Sequence, residues 1–407
     1  MKLHIDFDSY FVNAERVKNK ELIGAPCVIF AGSNDDFFDL NPIFDNDKIS
    51  FMGNIIVDKT PLKNIDYKHF TVIAASYEAK KFGIKVGDKL NEAFRKYPDL
   101  KIARSNIRYY KELSYKVKQF LQIKLPVIEQ FSIDEFFADL AGFKKDDEVL
   151  DYAKYIQKEL LKKFELPASI GISKSKWSAK LLTDLAKPFG IKYEPDIKNS
   201  LVGIDIKNFA GIGKATQNYL RSYGINTLDE LIKRPEVLNK YGKNGSKLLA
   251  RVLGEDNEEV GEENKLKSHA ISKSFKPIND IAELRRRIKI LSRYLCVWIS
   301  KNKLHPRKLE VSIKYNAKFD NVNLSLNQPF YEKNLIEKSL EGFEMLLKNT
   351  HQRHVNVYYL GLSVSNLDKT YSENIFDSTN NEKAAKLNET LSVLRERFGI
   401  NSIKYGE

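Results

Sequence analysis

Asp134 and Glu135 stand side by side in the stretch QFSIDEFFADL, residues 130–140, with apolar residues before and after them. An ionised carboxylate in an apolar interior is costly unless it is paired or coordinates a metal, so the two acids need a partner. Asp6 is the candidate. It lies in the opening segment KLHIDFD, where Leu3, Ile5 and Phe7 alternate with His4, Asp6 and Asp8 in the period of a half-buried strand, which puts Asp6 and Asp8 on one face. Carboxylates from neighbouring strands or a hairpin can hold two Mg²⁺ ions about 3.5–4 Å apart, a clamp that activates a hydroxyl and steadies a leaving pyrophosphate. Hard oxygen ligands suit Mg²⁺, and no His or Cys cluster in the sequence proposes zinc. The pair could equally form salt bridges to lysines or cap a turn, and spacing alone leaves both readings open.

The elements that must position these acids follow from periodicity. Residues 108–123 and 148–164 space their apolar side chains at three and four, as helices do, and flank the strand-like segment 127–140. Residues 27–31 and 167–173 read as further strands. Strands alternating with helices in this order predict an α+β layer with helices backing one face of a sheet. From Asn208 the texture changes to short helical pieces around glycines, and GIGK at 211–214 resembles a helix-hairpin-helix loop, which aims backbone N–H groups at a DNA phosphate. The acidic run EDNEEVGEEN at 255–264 has almost nothing to bury and reads as a linker. Beyond it, 281–300 is helical in pattern and 308–315 and 355–364 are strand-like. The polar tail after Asp368 ends in an amphipathic helix at 382–398.

Charge is distributed unevenly. The chain carries a formal net charge of +13, and residues 265–318 hold 15 Lys or Arg against three acids, which leaves about +1 for all the rest. Basicity concentrated in one domain marks a surface for a polyanion, because neutralising phosphates releases condensed counterions. The two cysteines, Cys27 and Cys296, sit far apart in apolar strings and read as buried thiols. No apolar run approaches the roughly 20 residues that span a bilayer, and the first residues carry acids where a signal peptide carries an apolar block, so a cytoplasmic protein is expected.

Five ordered motifs carry a resemblance: IDFDSYF at 5–11, SYEAKKFGIKVG at 76–87, FSIDEFFADL at 131–140, SIGISKSKWSAKLLTDLAKPFGI at 169–191 and AGIGKATQNYLRSYGI at 210–225. In this order they are similar to the Y-family translesion DNA polymerases, and to the polymerase IV and kappa branch more than to the polymerase V branch. The resemblance spans about residues 1–367. It implies an α+β right hand. The expected parts are a ferredoxin-like palm (1–10 and 105–192), small fingers (11–104), a helical helix-hairpin-helix thumb (193–256), a linker (257–268), an α/β little-finger domain (269–367) and a C-terminal tail (368–407).

The roles of the residues are likewise what the resemblance implies. Asp6, Asp134 and Glu135 match the family's metal-binding carboxylates, with the carbonyl of Phe7 as a further ligand, while Asp8 matches a family position without being a ligand. Phe11 matches the steric gate against a ribose 2′-hydroxyl, and Tyr10, Tyr77, Lys80 and Lys187 fall at nucleotide-binding positions. Lys80 stands where the family more often has Arg; it keeps the charge and loses the planar fork. DNA contacts are expected from Gly211, Gly213 and Lys214 of the thumb loop and from Lys273, Arg285, Arg286 and Arg287 of the basic domain.

The activity implied is template-directed addition of deoxynucleotides to a primer 3′-hydroxyl with two Mg²⁺ ions, at low fidelity and without proofreading, by a monomer on primer-template DNA. Two alternatives belong beside it: a catalytically silent relative that only holds primer-template, which would be marked by lost carboxylates, and a metal-dependent nuclease, which would not need a steric gate. Two stretches depart from the pattern. Residues 33–70, with seven Asp and four Lys, form a longer loop than the family usually has, expected to modulate template acceptance or to be a surface extension. In YSENIFDS, Ile375 and Phe376 are similar to a sliding-clamp peptide, with Ser372 where the usual Gln would stand.

Overall fold

The computed structural model describes residues 1–31, 70–261, 266–326, 332–350, 355–368 and 378–403. The described residues form two compact units, 1–31 with 70–261, and 266–403. The departures expected at 33–69 and at Ile375 and Phe376 lie outside them.

At the centre of the first unit is β1 (Lys2–Phe7), flanked in a five-stranded sheet of order β5-β6-β1-β7-β8. Its neighbours are β5 (Val127–Gln130), β6 (Glu135–Asp139), β7 (Ala168–Ser173) and β8 (Ile191–Tyr193). β1 runs antiparallel to both β6 and β7, with Asp6 opposite Glu135 on one side and Ser169 on the other. Two helices, α4 (Ile107–Lys124) and α5 (Val149–Phe164), bury their apolar stripes against Leu3, Ile5 and Ile170. Asn106 caps α4 by accepting the N–H of Tyr109, which satisfies one of the amides a helix start leaves open.

β1 differs from its expected half-buried state. His4 and Asp6 are as buried as the apolar residues between them, because α6 (Lys176–Ala186) lies across the polar face. His4 Nδ1 and Thr183 Oγ1 meet at 2.9 Å, and Thr183 Oγ1 also donates to the carbonyl of His4. Gly171, opposite His4 on β7, makes this approach possible: a Cβ there would stand 2.0 Å from the Ala179 carbonyl oxygen and 2.4 Å from the Thr183 nitrogen. The sheet is therefore covered on both faces.

The sequence leaves 127–140 open between a strand and a hairpin. It is a hairpin: β5 and β6 pair antiparallel, and Phe131–Asp134 turn between them. The N–H groups of Phe131 and Ser132 donate to the Glu135 carbonyl, and Ser132 Oγ accepts from the N–H groups of Asp134 and Glu135 at 3.3 and 3.1 Å. A serine hydroxyl that satisfies two amides at once stabilises a turn over a continued ladder.

A three-stranded sheet of order β3-β2-β4 follows, from β2 (Cys27–Ala31), β3 (Thr71–Ala75) and β4 (Lys101–Arg104). With α2 (Tyr77–Lys80) and α3 (Leu90–Lys96) it buries Val28, Val72, Ile84 and Leu90. α1 (Tyr10–Lys18) leads from β1 toward this sheet. Three helices, α7 (Lys214–Ser222), α8 (Leu228–Lys233) and α9 (Lys243–Leu253), complete the unit around Leu220, Leu231 and Val252.

The acidic run from Glu255 is not a bare linker over its described part. Glu255 pairs with Lys198 at 2.8 Å, Glu258 accepts a fork of hydrogen bonds from Arg251, Val260 is buried, and Gly261 donates its N–H to Glu129. A run of acids with few apolar residues still docks where cations receive it.

The second unit is a four-stranded antiparallel sheet of order β11-β10-β12-β9: β9 (Ser268–Ile278), β10 (His305–Tyr315), β11 (Lys318–Ser325) and β12 (Val357–Asp368). α10 (Ile281–Asn302) and α11 (Glu332–Asn349) cover one face through Leu284, Ile288, Leu291 and Phe343. The tail helix, expected at 382–398, is α12 (Ser378–Phe398), and it joins this unit through an Arg395–Glu332 pair with both side chains 1% exposed. Both cysteines are free and buried, and among the described residues no helix is long and apolar enough to cross a membrane.

Candidate active site

The end of β1 and the turn before β6 bring the three predicted carboxylates together. Asp6 is paired in register with Glu135, and the Phe7 N–H donates to the Asp134 carbonyl at 3.1 Å, so a backbone bond fixes the Asp134 turn to β1. Ser132 Oγ donates to Asp134 Oδ1 at 2.5 Å. The Asp6 and Glu135 carboxyls are close enough that Glu135 raises the cost of ionising Asp6.

The electrostatics follow from this crowding. Burial raises the Asp6 carboxyl to about 7, Lys187 pulls it back, and Glu135 pushes it up again. Burial also raises Asp134, with Ser132 opposing and Glu135 adding to the rise. Two lysines compensate in part. Lys187 Nζ lies 2.7 Å from Asp6 Oδ2 and 3.1 Å from Asp184 Oδ1, and Lys180 Nζ pairs with Glu135 Oε1. Sequence reasoning missed Lys180 and Asp184. The signal was present, since Lys176, Lys180 and Asp184 recur every four residues and share one face of α6.

Among the described residues, no group of three His, Cys, Asp or Glu side chains stands in metal-holding geometry. The donor chemistry nevertheless fits a hard divalent cation. Asp6, Asp134 and Glu135 offer oxygen donors, and a cation there would offset the burial and the neighbouring Glu135 charge that raise Asp6 and Asp134.

The nucleotide-binding expectations divide. Tyr77 donates its hydroxyl to Asp8 Oδ1 at 3.2 Å, and Lys80 stands 4.4 Å above the Tyr77 ring while donating to Ser9 Oγ at 3.2 Å. Burial lowers the Lys80 ammonium pKa. With Lys187 on Asp6, these three groups line one side of the carboxylates. Phe11 stacks on Tyr110 with centroids 4.6 Å apart and an interplanar angle of 19°, which holds its ring in place. Tyr10 is different. Its side chain is 3% exposed and its hydroxyl donates to the Tyr110 carbonyl, so the side chain serves the core. Its backbone opens α1, whose N-terminus receives no side-chain cap from Ser9.

The DNA-binding expectations divide too. Gly211, with φ of 99°, and Gly213 form the turn before α7, and Lys214 is the first residue of that helix. In the second unit each arginine of the run has an acidic partner within the unit. Arg285 pairs with Glu344 at 2.7 Å, and Glu283 receives both Arg286 at 2.5 Å and Arg287 at 2.7 Å. Arg287 is 9% exposed and lies over the Phe275 ring. Lys273 pairs in register with Leu360, a core residue, and directly opposed residues share a sheet face, so it stands on the helix-covered side. Burial lowers its ammonium pKa.

Comparison with known proteins gives a consistent result. Residues 5–184 match the impB/mucB/samB family, and residues 266–375 match the C-terminal domain of the same family. The chain is 26% identical to a DNA polymerase IV of Clostridium kluyveri, over 99% of this chain and 96% of that protein. It is 27% identical to a DNA polymerase IV of Bacillus anthracis, over 99% and 92%. Among solved structures, a Y-family DNA polymerase chimera of Dbh and Dpo4 superposes with a TM-score of 0.74 at 20% identity, covering 91% of this chain and 99% of that one. An insertion ternary complex of Dbh DNA polymerase gives a TM-score of 0.59 over the same shares at 20% identity. With the two family models spanning most of the chain, and the α+β fold shared with those structures, the chain belongs to the impB/mucB/samB family as a polymerase IV-like member of the Y-family DNA polymerases.

Proposed function

We propose that this translesion DNA polymerase adds deoxynucleotides to a primer 3′-hydroxyl at the site formed by Asp6, Asp134 and Glu135, with the Phe7 carbonyl beside them, holding two Mg²⁺ ions. The observation that carries the reading is the convergence of three acids, Asp6 buried and raised to about 7, Asp134 and Glu135 half-buried, beside the cationic and hydroxyl groups of Lys187, Lys80 and Tyr77. When bound, divalent cations supply the positive charge that favours an ionised 3′-hydroxyl and an anionic leaving pyrophosphate.

The chain's own residues do the rest. Lys187 and Lys80 offer donors to the triphosphate beside Tyr77, whose ring carries Lys80, and the uncapped start of α1 adds backbone N–H groups at Tyr10 and Phe11. Lys187 must exchange part of its contact with Asp6 for a phosphate oxygen, which leaves Asp6 free to ligate. Phe11, held flat against Tyr110, excludes a ribose 2′-hydroxyl. Gly211, Gly213 and Lys214 offer the start of α7 to a primer-template phosphate. We place the protein in the cytoplasm as a monomer, with Ile375 and Phe376 as its contact to a sliding clamp. Fidelity is low and no proofreading activity accompanies synthesis.

Primer extension with Mg²⁺ and the four deoxynucleotides tests the reading, on an undamaged template and on one with a bulky minor-groove guanine adduct. Extension past the adduct is expected. Tight binding without extension would instead mean a silent primer-template binder, and shortening of the labelled primer would mean a nuclease.

A further inference from the structure

Asp8 is built into the site in a different way from the acids around it. Its side chain is 2% exposed, and both oxygens are engaged. Oδ1 accepts the Tyr77 hydroxyl at 3.2 Å and Ser169 Oγ at 2.9 Å, and Oδ2 accepts the Phe189 N–H at 2.8 Å. Its backbone is held as well, with its N–H donating to the Pro167 carbonyl at 3.0 Å and its carbonyl accepting from the Asn13 side chain. These partners come from α2, from β7 and the residue before it, from α1, and from the turn after α6. A buried carboxylate with three donors and no cation of its own is acting as a joint between elements.

Two of those donors matter for the nucleotide. Tyr77, held to Asp8 through its hydroxyl, supports the Lys80 ammonium on its ring. Phe189 lies two residues after Lys187, so its bond to Asp8 sets the turn from which Lys187 reaches Asp6. Asp8 itself follows Asp6 by two residues, in the turn that leaves the end of β1. We propose that Asp8 is a positioning residue for the incoming nucleotide, one that places Tyr77 and the Lys187 turn at a set distance from the metal-binding end of β1. The carboxylate is needed because all three partners are donors; an amide in its place turns an N–H₂ group toward at least one of them.

The inference rests on the proposed nucleotidyl transfer, and the test separates the two. Steady-state incorporation of one correct deoxynucleotide with Mg²⁺ is measured for wild type, Asp8→Asn, Tyr77→Phe and the double variant, with primer-template affinity and Tm recorded for each. Losing a charged hydrogen bond at a positioning group is expected to raise the nucleotide KM of Asp8→Asn roughly tenfold while kcat falls by less than about threefold. Because Asp8 acts through Tyr77, the double variant is expected to match the worse single variant within about twofold. Effects that multiply, or a kcat loss at unchanged KM, would overturn the proposal. Should Asp8→Asn fail to fold, Ser169→Ala, which removes a hydroxyl that touches Asp8, replaces it in the same cycle. There the expected KM rise is about threefold, and again not multiplied by Tyr77→Phe. Wild type that incorporates nothing overturns both readings; wild type that incorporates while the variants multiply overturns only the role of Asp8.

Discussion

The acids of the first unit stand out in the sequence because charge there is expensive, the arginines of the second because charge there is concentrated, and the fold treats the two in opposite ways. Around Arg285–Arg287 every cation has a carboxylate within 2.7 Å, and the shifts run toward the charged forms: hydrogen bonds from Arg286 and Arg287 hold Glu283 below its ordinary value. Around Asp6 the shifts run against the charged form, with burial and Glu135 outweighing Lys187. A charge that the fold stabilises is performing a structural task; a charge that the fold leaves strained is kept for a ligand. A run of three arginines therefore says less about DNA than its composition implies, and a pair of acids in an apolar string says more.

Four outcomes sharpen or break this contrast. The largest concerns Phe11, where Phe11→Ala is expected to reduce the preference for deoxyribonucleotides over ribonucleotides by roughly a hundredfold, read from paired kcat/KM values. An unchanged ratio would return Phe11 to the core. Next is pH. Asp6 has a folded pKa of about 7 against an ordinary 3.8, so the folded chain holds a proton that the unfolded chain has lost. The metal-free protein should lose stability as pH rises from about 4 to about 7, by an amount on the order of a few kcal/mol, and Asp6→Asn should flatten that profile. Added Mg²⁺ should bind more tightly across the same window, because the ligand must be ionised.

Third, Arg287→Ala should destabilise the second unit by about 2 kcal/mol, since it leaves Glu283 with one cation and uncovers Phe275, while primer-template affinity changes less than about twofold. Weaker DNA binding at constant Tm would make the arginine run a DNA surface after all. The smallest effect is at Lys80, where Lys80→Arg should lower or preserve the nucleotide KM. A several-fold rise would show that the Ser9 hydroxyl and the Tyr77 ring are fitted to an ammonium.

Much of this was legible in the chain and some of it was not, for identifiable reasons. β1, β7, α4 and α5 obey simple periods, and their bounds differ from the expected ones by a residue or two. The sequence left the hairpin at 127–140 undecided because apolar residues continue through its turn, and the hydroxyl that makes the turn, Ser132, is a residue a strand also tolerates. The covering of the polar face of β1 was hidden because it depends on Gly171, far along the chain, letting α6 approach. Ion pairs account for the remaining differences: Glu344 for Arg285 and Glu332 for Arg395 join residues far apart in the chain and leave no mark in local pattern, whereas Glu283 for Arg286 and Arg287 has helical spacing and was legible.

The central claim is that the acids meeting at the end of β1 carry out nucleotidyl transfer. Its most direct test is single-turnover incorporation of one deoxynucleotide with Mg²⁺ by the Asp134→Asn/Glu135→Gln variant, with primer-template affinity measured in parallel. The account predicts that incorporation falls by at least about a hundredfold while DNA affinity stays within about threefold of wild type. Incorporation at the wild-type rate would contradict it, and would leave Asp134 and Glu135 as the turn and salt-bridge residues that their spacing alone also allowed.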